Sequence, residues 1–165
     1  MSSKLFVYQW ISEDVHGQFV IRAFGINENG QDICLLVRNF KPWIYIETTL
    51  PDKISLKNRI QNSLSWSVYH IGDSVQKSKL YFDHGNKLFK FYPIFFDSIK
   101  SRKQVYFTLR KKFSYLKIHE YEASPLLQFL CKYSLPSCGW VDILSVTQKV
   151  KSNKYTRSSS EFIVD

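Results

Sequence analysis

Seven basic side chains stand between Ser98 and His119 with no acid among them: Lys100, Arg102, Lys103, Arg110, Lys111, Lys112 and Lys117. Unbalanced like charges repel one another, and their field recruits anions. Laid along a helix they can neutralise phosphates, giving binding that depends on salt and ignores base sequence. Two readings of the run stay open at this point. Arg102, Lys103 and Arg110 read as lying away from the apolar Val105–Leu109–Phe113 stripe, which would turn them towards a phosphate backbone. An ordinary solvated helix face would carry the same charges.

A second cluster is the segment KLFKFYPIFF, residues 87–96, where Phe89 and Phe91 share one face and Lys87 and Lys90 lie beside them. Exposed rings on the central strand of a sheet can stack bases. Core packing uses the same residue types, because large aromatics bury the most area.

Other chemistries are not written in the chain. Two-metal phosphoryl transfer needs carboxylates converging on cations about 3.5–4 Å apart. The 14 acidic residues are scattered, and no D-x-D or D-x-E occurs. There is no phosphate-binding glycine loop, no G-x-G-x-x-G and no G-x-S-x-G. His16, His70, His84 and His119 have no ligand spacing. Cys34, Cys131 and Cys138 form no C-x-x-C and no zinc pattern, and read as buried or half-buried free thiols of an intracellular, reducing compartment. The expectation is a non-catalytic chain with no metal and no cofactor of its own.

The elements that must position these groups follow from periodicity. KLFVYQW (4–10), QFVIRAFGI (18–26) and QDICLLVRNF (31–40) read as a β meander over residues 1–42, with SEDVHG as one connection and Asn29-Gly30 as a tight turn. Residues 43–122 read as a βαββαβ unit of ferredoxin-like or RRM-like (RNA-recognition) order, with one extra short strand. Its strands are WIYIET (43–48), WSVYHI (66–71), SKLYFD (78–83), 87–96 and YLKIHEYE (115–122). Its first helix starts at Pro51-Asp52 and carries Ile54, Ile60 and Leu64. Asp97-Ser98 opens the second, and Pro93 predicts a bulge or a sheet edge. Residues 123–147 read as a closing helix, capped by Ser124 with Pro125 in its first turn, and a strand GWVDILSV (139–146). Residues 148–165 read as a basic hairpin or linker ending on an apolar element, which suggests the N-terminal piece of a longer protein.

The fold class is therefore α+β. Composition agrees: 165 residues, 44% apolar and 16% aromatic, support one core or two small coupled ones. The net charge of +9 favours an anionic partner, nucleic acid first. No apolar stretch of about 18 residues occurs, so no membrane span or membrane partner is expected.

One segment ties these parts to a known family. Tyr121-Glu122-Ala123, then a helix bearing Phe129-Leu130, then Cys138-Gly139-Trp140-Val141, resembles the end of the N-terminal domain of family B DNA polymerases. VYQW near the start, the AFG strand and VRNFKPWIYIE resemble the family's opening. SKLYF and LFKFYPIFFDS, followed by the basic helix, resemble its versions in large DNA viruses. Gln128 stands where the family usually has arginine, so no arginine-dependent role of that helix carries over. The resemblance implies structural roles for Tyr121, Glu122, Phe129, Gly139 and Trp140. It implies a domain that packs beside the exonuclease and palm of the same polypeptide and guides single-stranded template DNA. The parent would be a DNA-directed DNA polymerase, a nucleotidyltransferase acting in DNA replication, with Mg2+ held only in domains outside this chain. It would work at a viral replication site in the cytoplasm or nucleus of the host. The alternative is a free-standing module of RNA-recognition type that binds single-stranded nucleic acid.

Overall fold

A computed structural model describes residues 4–38, 40–47, 53–61, 69–78, 88–144 and 162–164. The chain divides into two compact units. The first comprises Met1–Pro42, Asp97–Ile99 and Ala123–Asp165, and the second Trp43–Phe96 and Lys100–Glu122. Both units are α+β with antiparallel sheets.

The first unit is built on β1 (Lys4–Val15), β2 (Gln18–Asn27) and β3 (Asp32–Val37), extended by β9 (Gly139–Asp142) and β10 (Phe162–Val164). The sheet order is β10-β3-β2-β1-β9. Alternation along the strands buries Leu5, Val7, Phe19, Ile21, Ala23, Leu35, Val37 and Val141. Helix α3 (Pro125–Lys132) adds Phe129, Leu130 and Tyr133 to the buried set. Phe129 meets Phe40, Tyr133 and Trp10 edge-on at ring separations of 5.1, 5.2 and 5.9 Å.

The first two strands of the meander are longer than expected, whereas β3 is shorter and ends at Val37. SEDV continues β1 to Val15, and the connection is only His16-Gly17, with φ of 50° and 77°. Two positive φ values make this a two-residue turn whose twist suits the hairpin. At the second turn only Gly30 takes a positive φ, 75°; Asn29 does not. Gly30 N–H donates to the Asn27 carbonyl, while the Asn27 side chain accepts from Asn29 and Gln31 N–H. This is a type I turn closed by a left-handed glycine.

Helix α3 has both ends specified by sequence. The Ser124 hydroxyl accepts from Leu127 N–H at 3.1 Å, and Pro125 follows in the first turn, as expected. At the other end Leu135 N–H reaches the Leu130 carbonyl and Ser134 N–H the Cys131 carbonyl, a Schellman closure. Ser134 holds the left-handed position there, with φ 53°. A glycine would relieve that backbone but would cost more entropy on folding. Ser134→Gly is expected to stabilise the chain by about 0.5–1 kcal/mol. Thermal unfolding should then rise by about 1–4 °C. A fall in the midpoint would contradict this account of the helix end.

The second unit contains β4 (Trp43–Glu47), α1 (Lys53–Gln61), β5 (Tyr69–Ile71), β6 (Val75–Ser78), β7 (Leu88–Phe96), α2 (Ile99–Lys112, its first residue lying in the first unit) and β8 (Lys117–His119). The sheet runs β5-β7-β4-β8, with β6 also on β7. This is the strand order of a ferredoxin-like βαββαβ sheet. Ile44, Ile46, Ile71, Tyr92, Ile94 and Phe96 form a core with Leu56, Ile60, Val105 and Leu109 of the two helices.

Several local expectations change. Pro93 makes neither an edge nor a bulge: β7 is central, paired with β4 on one side and with β5 and β6 on the other. The Pro93 carbonyl accepts from Gly72 N–H. The N–H and C=O of a strand residue point to the same side, so the missing proline donor faces the gap between β5 and β6. On α1 the buried pair is Leu56 and Ile60, while Ile54 is exposed. β8 is three residues long, because Glu120 turns into the left-handed region at φ 65°. β9 ends at Asp142, and Ile143–Leu144 start a helical turn. Cys131 and Cys138 are exposed rather than buried, and Cys34 is half-buried. Pro51-Asp52, Leu64, most of SKLYFD and residues 145–161 lie outside the described residues.

Candidate nucleic-acid interface

Helix α2 sorts the basic run into three groups. Lys100, Lys103, Arg110 and Lys111 are exposed and recur at i, i+3, i+10 and i+11, one stripe of the helix. Lys112 is exposed at the last position, outside that stripe, and Lys117 is exposed on β8 opposite Glu47.

Arg102 is different. It is 4% exposed and turned inwards, so it presents no charge to a phosphate. Its Nε donates to the Trp43 carbonyl at 3.1 Å. Its Nη2 donates to the carbonyls of Glu120 (2.8 Å) and Tyr121 (3.1 Å). The guanidinium lies 4.9 Å from the centre of the Tyr121 ring, and Tyr121 stacks flat on Tyr106 at 3.6 Å. Burial lowers its pKa from the ordinary arginine value; the charges of Tyr121, Glu122 and Glu120 act in the opposite direction. The spacing already held this signal. Position 102 precedes Val105 by three and Leu109 by seven, and so belongs to the buried stripe rather than away from it.

The same packing gives meaning to an uncharged residue within the basic run. Phe107 is 50% exposed and lies on the stripe of Lys100, Lys103, Arg110 and Lys111. Its ring stands edge-on to Tyr106 at 5.2 Å and to Tyr121 at 5.9 Å. An apolar ring at solvent-side spacing was the sign available in the sequence. Near Arg110 a hollow of about 200 Å³ is lined by Tyr106, Arg110, Phe113, Ser114, Leu116 and Ile118. Arg110 Nη1 donates to the Tyr106 hydroxyl at 3.3 Å.

The aromatic strand sits otherwise. Phe91 is 5% exposed and packs edge-on to Tyr45 at 6.0 Å and His119 at 5.3 Å, which leaves no open ring face for a base. Phe89 is half-buried. Beside Phe91, His119 Nε2 and Glu47 Oε2 form a 2.9 Å pair.

The residues of the family motif have definite places. Tyr121 is part of the Arg102 stack, and Glu122 is exposed. Phe129 is fully buried, and Gly139 opens β9 at φ 152°. Trp140 is 56% exposed on β9 and edge-on to Phe6 at 5.5 Å. Among the described residues no group of three or more His, Cys, Asp or Glu could hold a metal ion. Among them, too, no helix is long and apolar enough to cross a membrane.

No family model matches the chain. Known proteins do. The chain is 28% identical to a putative DNA polymerase of Frog virus 3 over 160 residues, covering 97% of the chain and 15% of that protein. It is 26% identical to a DNA polymerase of Invertebrate iridescent virus 6, covering 86% of the chain and 14% of that protein. The chain thus spans well under a fifth of the length of these relatives. Its fold matches that of the family B DNA polymerase from the archaeon Pyrobaculum calidifontis with a TM-score of 0.64. That match covers 83% of the chain and 17% of the polymerase, at 13% identity. The chain is a homologue of one segment of the DNA polymerases of large DNA viruses, and it has the fold of a family B DNA polymerase segment.

Proposed function

We propose that the chain is the non-catalytic N-terminal domain of a family B DNA-directed DNA polymerase. Residues 1–147 form the domain, and residues 148–165 lead towards the exonuclease. The domain packs on the exonuclease and palm of the same polypeptide and guides single-stranded template DNA. The observation that carries this reading is the Frog virus 3 match: it takes in 97% of this chain yet only 15% of the relative. In this reading the segment contributes to a polymerase without supplying its catalytic carboxylates, and the Mg2+ belongs to the other domains. The basic stripe of α2 supplies the DNA contact.

Charge reversal tests that contact. Arg110→Glu with Lys111→Glu should weaken DNA binding at least roughly tenfold at about 50 mM salt, alike for all base sequences. The slope of log affinity against log salt should shrink by about 0.7 on single strands, and by about 0.9 on duplex, for each phosphate that the variant no longer neutralises. Fluorescence anisotropy with labelled oligonucleotides reads both quantities. Unchanged affinity at low salt would exclude the phosphate role.

A further inference from the structure

We propose that Phe107 is a base-stacking platform, making the outer face of α2 a site for single-stranded nucleic acid in preference to duplex. The proposal rests on the reading that the α2 stripe meets phosphates, and it adds a second chemistry to it.

Phe107 is half exposed between Lys103, four residues before it, and Lys111, four residues after it. Lys100 and Arg110 complete the same face. The whole helix, Ile99–Lys112, contains no acid. Solvation alone would call for a polar residue at position 107, since an exposed phenyl ring gains nothing from water. A ring flanked by cations at i−4 and i+4 is complementary to a chain of alternating bases and phosphates. Every base has a face that stacks, and every link carries a negative charge.

The ring is also held in place. Its edge contacts to Tyr106 and Tyr121 fix it against a flat stack at 3.6 Å, which Arg102 continues from below. A side chain already fixed loses little entropy when a base lands on it. A hollow lined in part by Tyr106 and Ser114 borders the stripe at Arg110. In a duplex the bases stack on one another and offer no free face to a helix surface. The ring therefore favours single strands, whereas the lysines serve both forms.

The test uses the 165-residue chain and labelled oligonucleotides of about 16 residues, oligo-dT, oligo-rU and a duplex, by anisotropy. Measurements are made at about 50 and about 200 mM salt. Phe107→Ala is expected to weaken single-strand binding about fivefold or more at both salt levels, with duplex binding unchanged. Phe107→Trp should keep or strengthen it, and Phe107→Leu should behave like the alanine variant although it preserves apolar bulk. The oligo-dT and oligo-rU arms report whether the strand bound is DNA, RNA or either. Equal loss on single strand and duplex would overturn the proposal, as would full affinity in Phe107→Leu. If Arg110→Glu with Lys111→Glu abolishes binding while Phe107→Ala does not, the phosphate reading stands and the stacking proposal fails. If neither change matters, both fail.

Discussion

Arg102→Ala is expected to destabilise the chain by about 3 kcal/mol, moving its thermal midpoint down by about 6–12 °C. The physical reason lies in what the guanidinium holds. Three carbonyls, those of Trp43, Glu120 and Tyr121, accept from Arg102. They belong to the start of β4 and to the turn that ends β8, two places joined by no continuous strand. Truncation removes these donors together, and a buried acceptor left without a donor costs about 1–3 kcal/mol. It also removes the cation resting on Tyr121, in a stack that the second tyrosine, Tyr106, continues. Lysine cannot replace it, because a single ammonium does not present a planar fork to three separate oxygens. Arg102→Lys should therefore recover only a minor part of the loss. Urea denaturation of the three proteins checks this, and an alanine variant within about 1 kcal/mol of the parent would refute it. Arg102→Met, compared with the parent at several salt concentrations, separates structure from binding. A residue that holds carbonyls leaves the salt slope of single-strand binding unchanged, whereas a phosphate contact would lower it by about 0.7.

The sequence carried the architecture wherever local signals and burial agree. Ser124-Pro125 wrote the start of α3 plainly, because a cap and a helix-compatible proline act over four residues. β4 and β7 were legible because their β-branched and aromatic residues alternate between two buried faces. What could not be read depended on partners distant in the chain. The Ile99 amide donates to the Asp14 carboxylate, 85 positions away in sequence, and no local pattern at 97–99 predicts that. Pro93 looked like an edge residue because the gap it faces, Gly72–Ser74, belongs to another segment. β8 stops early because Arg102 and the Trp43 indole, which donates to Glu120 at 2.8 Å, hold a residue in the left-handed region. Arg102 itself was misplaced for a different reason. Its position on the buried stripe was countable, but its charge suggested solvent. At the candidate interface the lysines are visible as a composition and Phe107 as an apolar ring at solvent-side spacing, whereas the tyrosine stack that fixes that ring is visible only in the fold.

Gly25→Ala should be among the most damaging single changes in the first unit, costing about 3 kcal/mol, although the substitution adds one methyl group. In an ordinary strand position alanine is the better residue, since glycine loses more conformational freedom on folding, by roughly 0.5–1 kcal/mol. The sign is decided here by distance. A Cβ at Gly25 would stand 2.3 Å from the Phe6 carbonyl oxygen and 2.9 Å from Leu5 Cγ. The first neighbour is backbone of the paired strand β1 and cannot rotate away, so β1 and β2 must separate where Val7 faces Gly25. That point lies beside the irregularity between Val7 and Gln9, and both Leu5 and Val7 are fully buried there. Separation would expose side chains that form the core of the sheet, and overpacking against fixed backbone is the costly kind. Gly17 and Gly30 provide the control. Both have positive φ and nothing within 4 Å of an added Cβ, so alanine there meets only the conformational penalty, about 1 kcal/mol. Chemical denaturation of Gly25→Ala against Gly30→Ala should therefore give a loss about three times larger at Gly25. Equal losses would mean that the strands part without strain, and that the close approach of β1 to β2 is not what demands glycine.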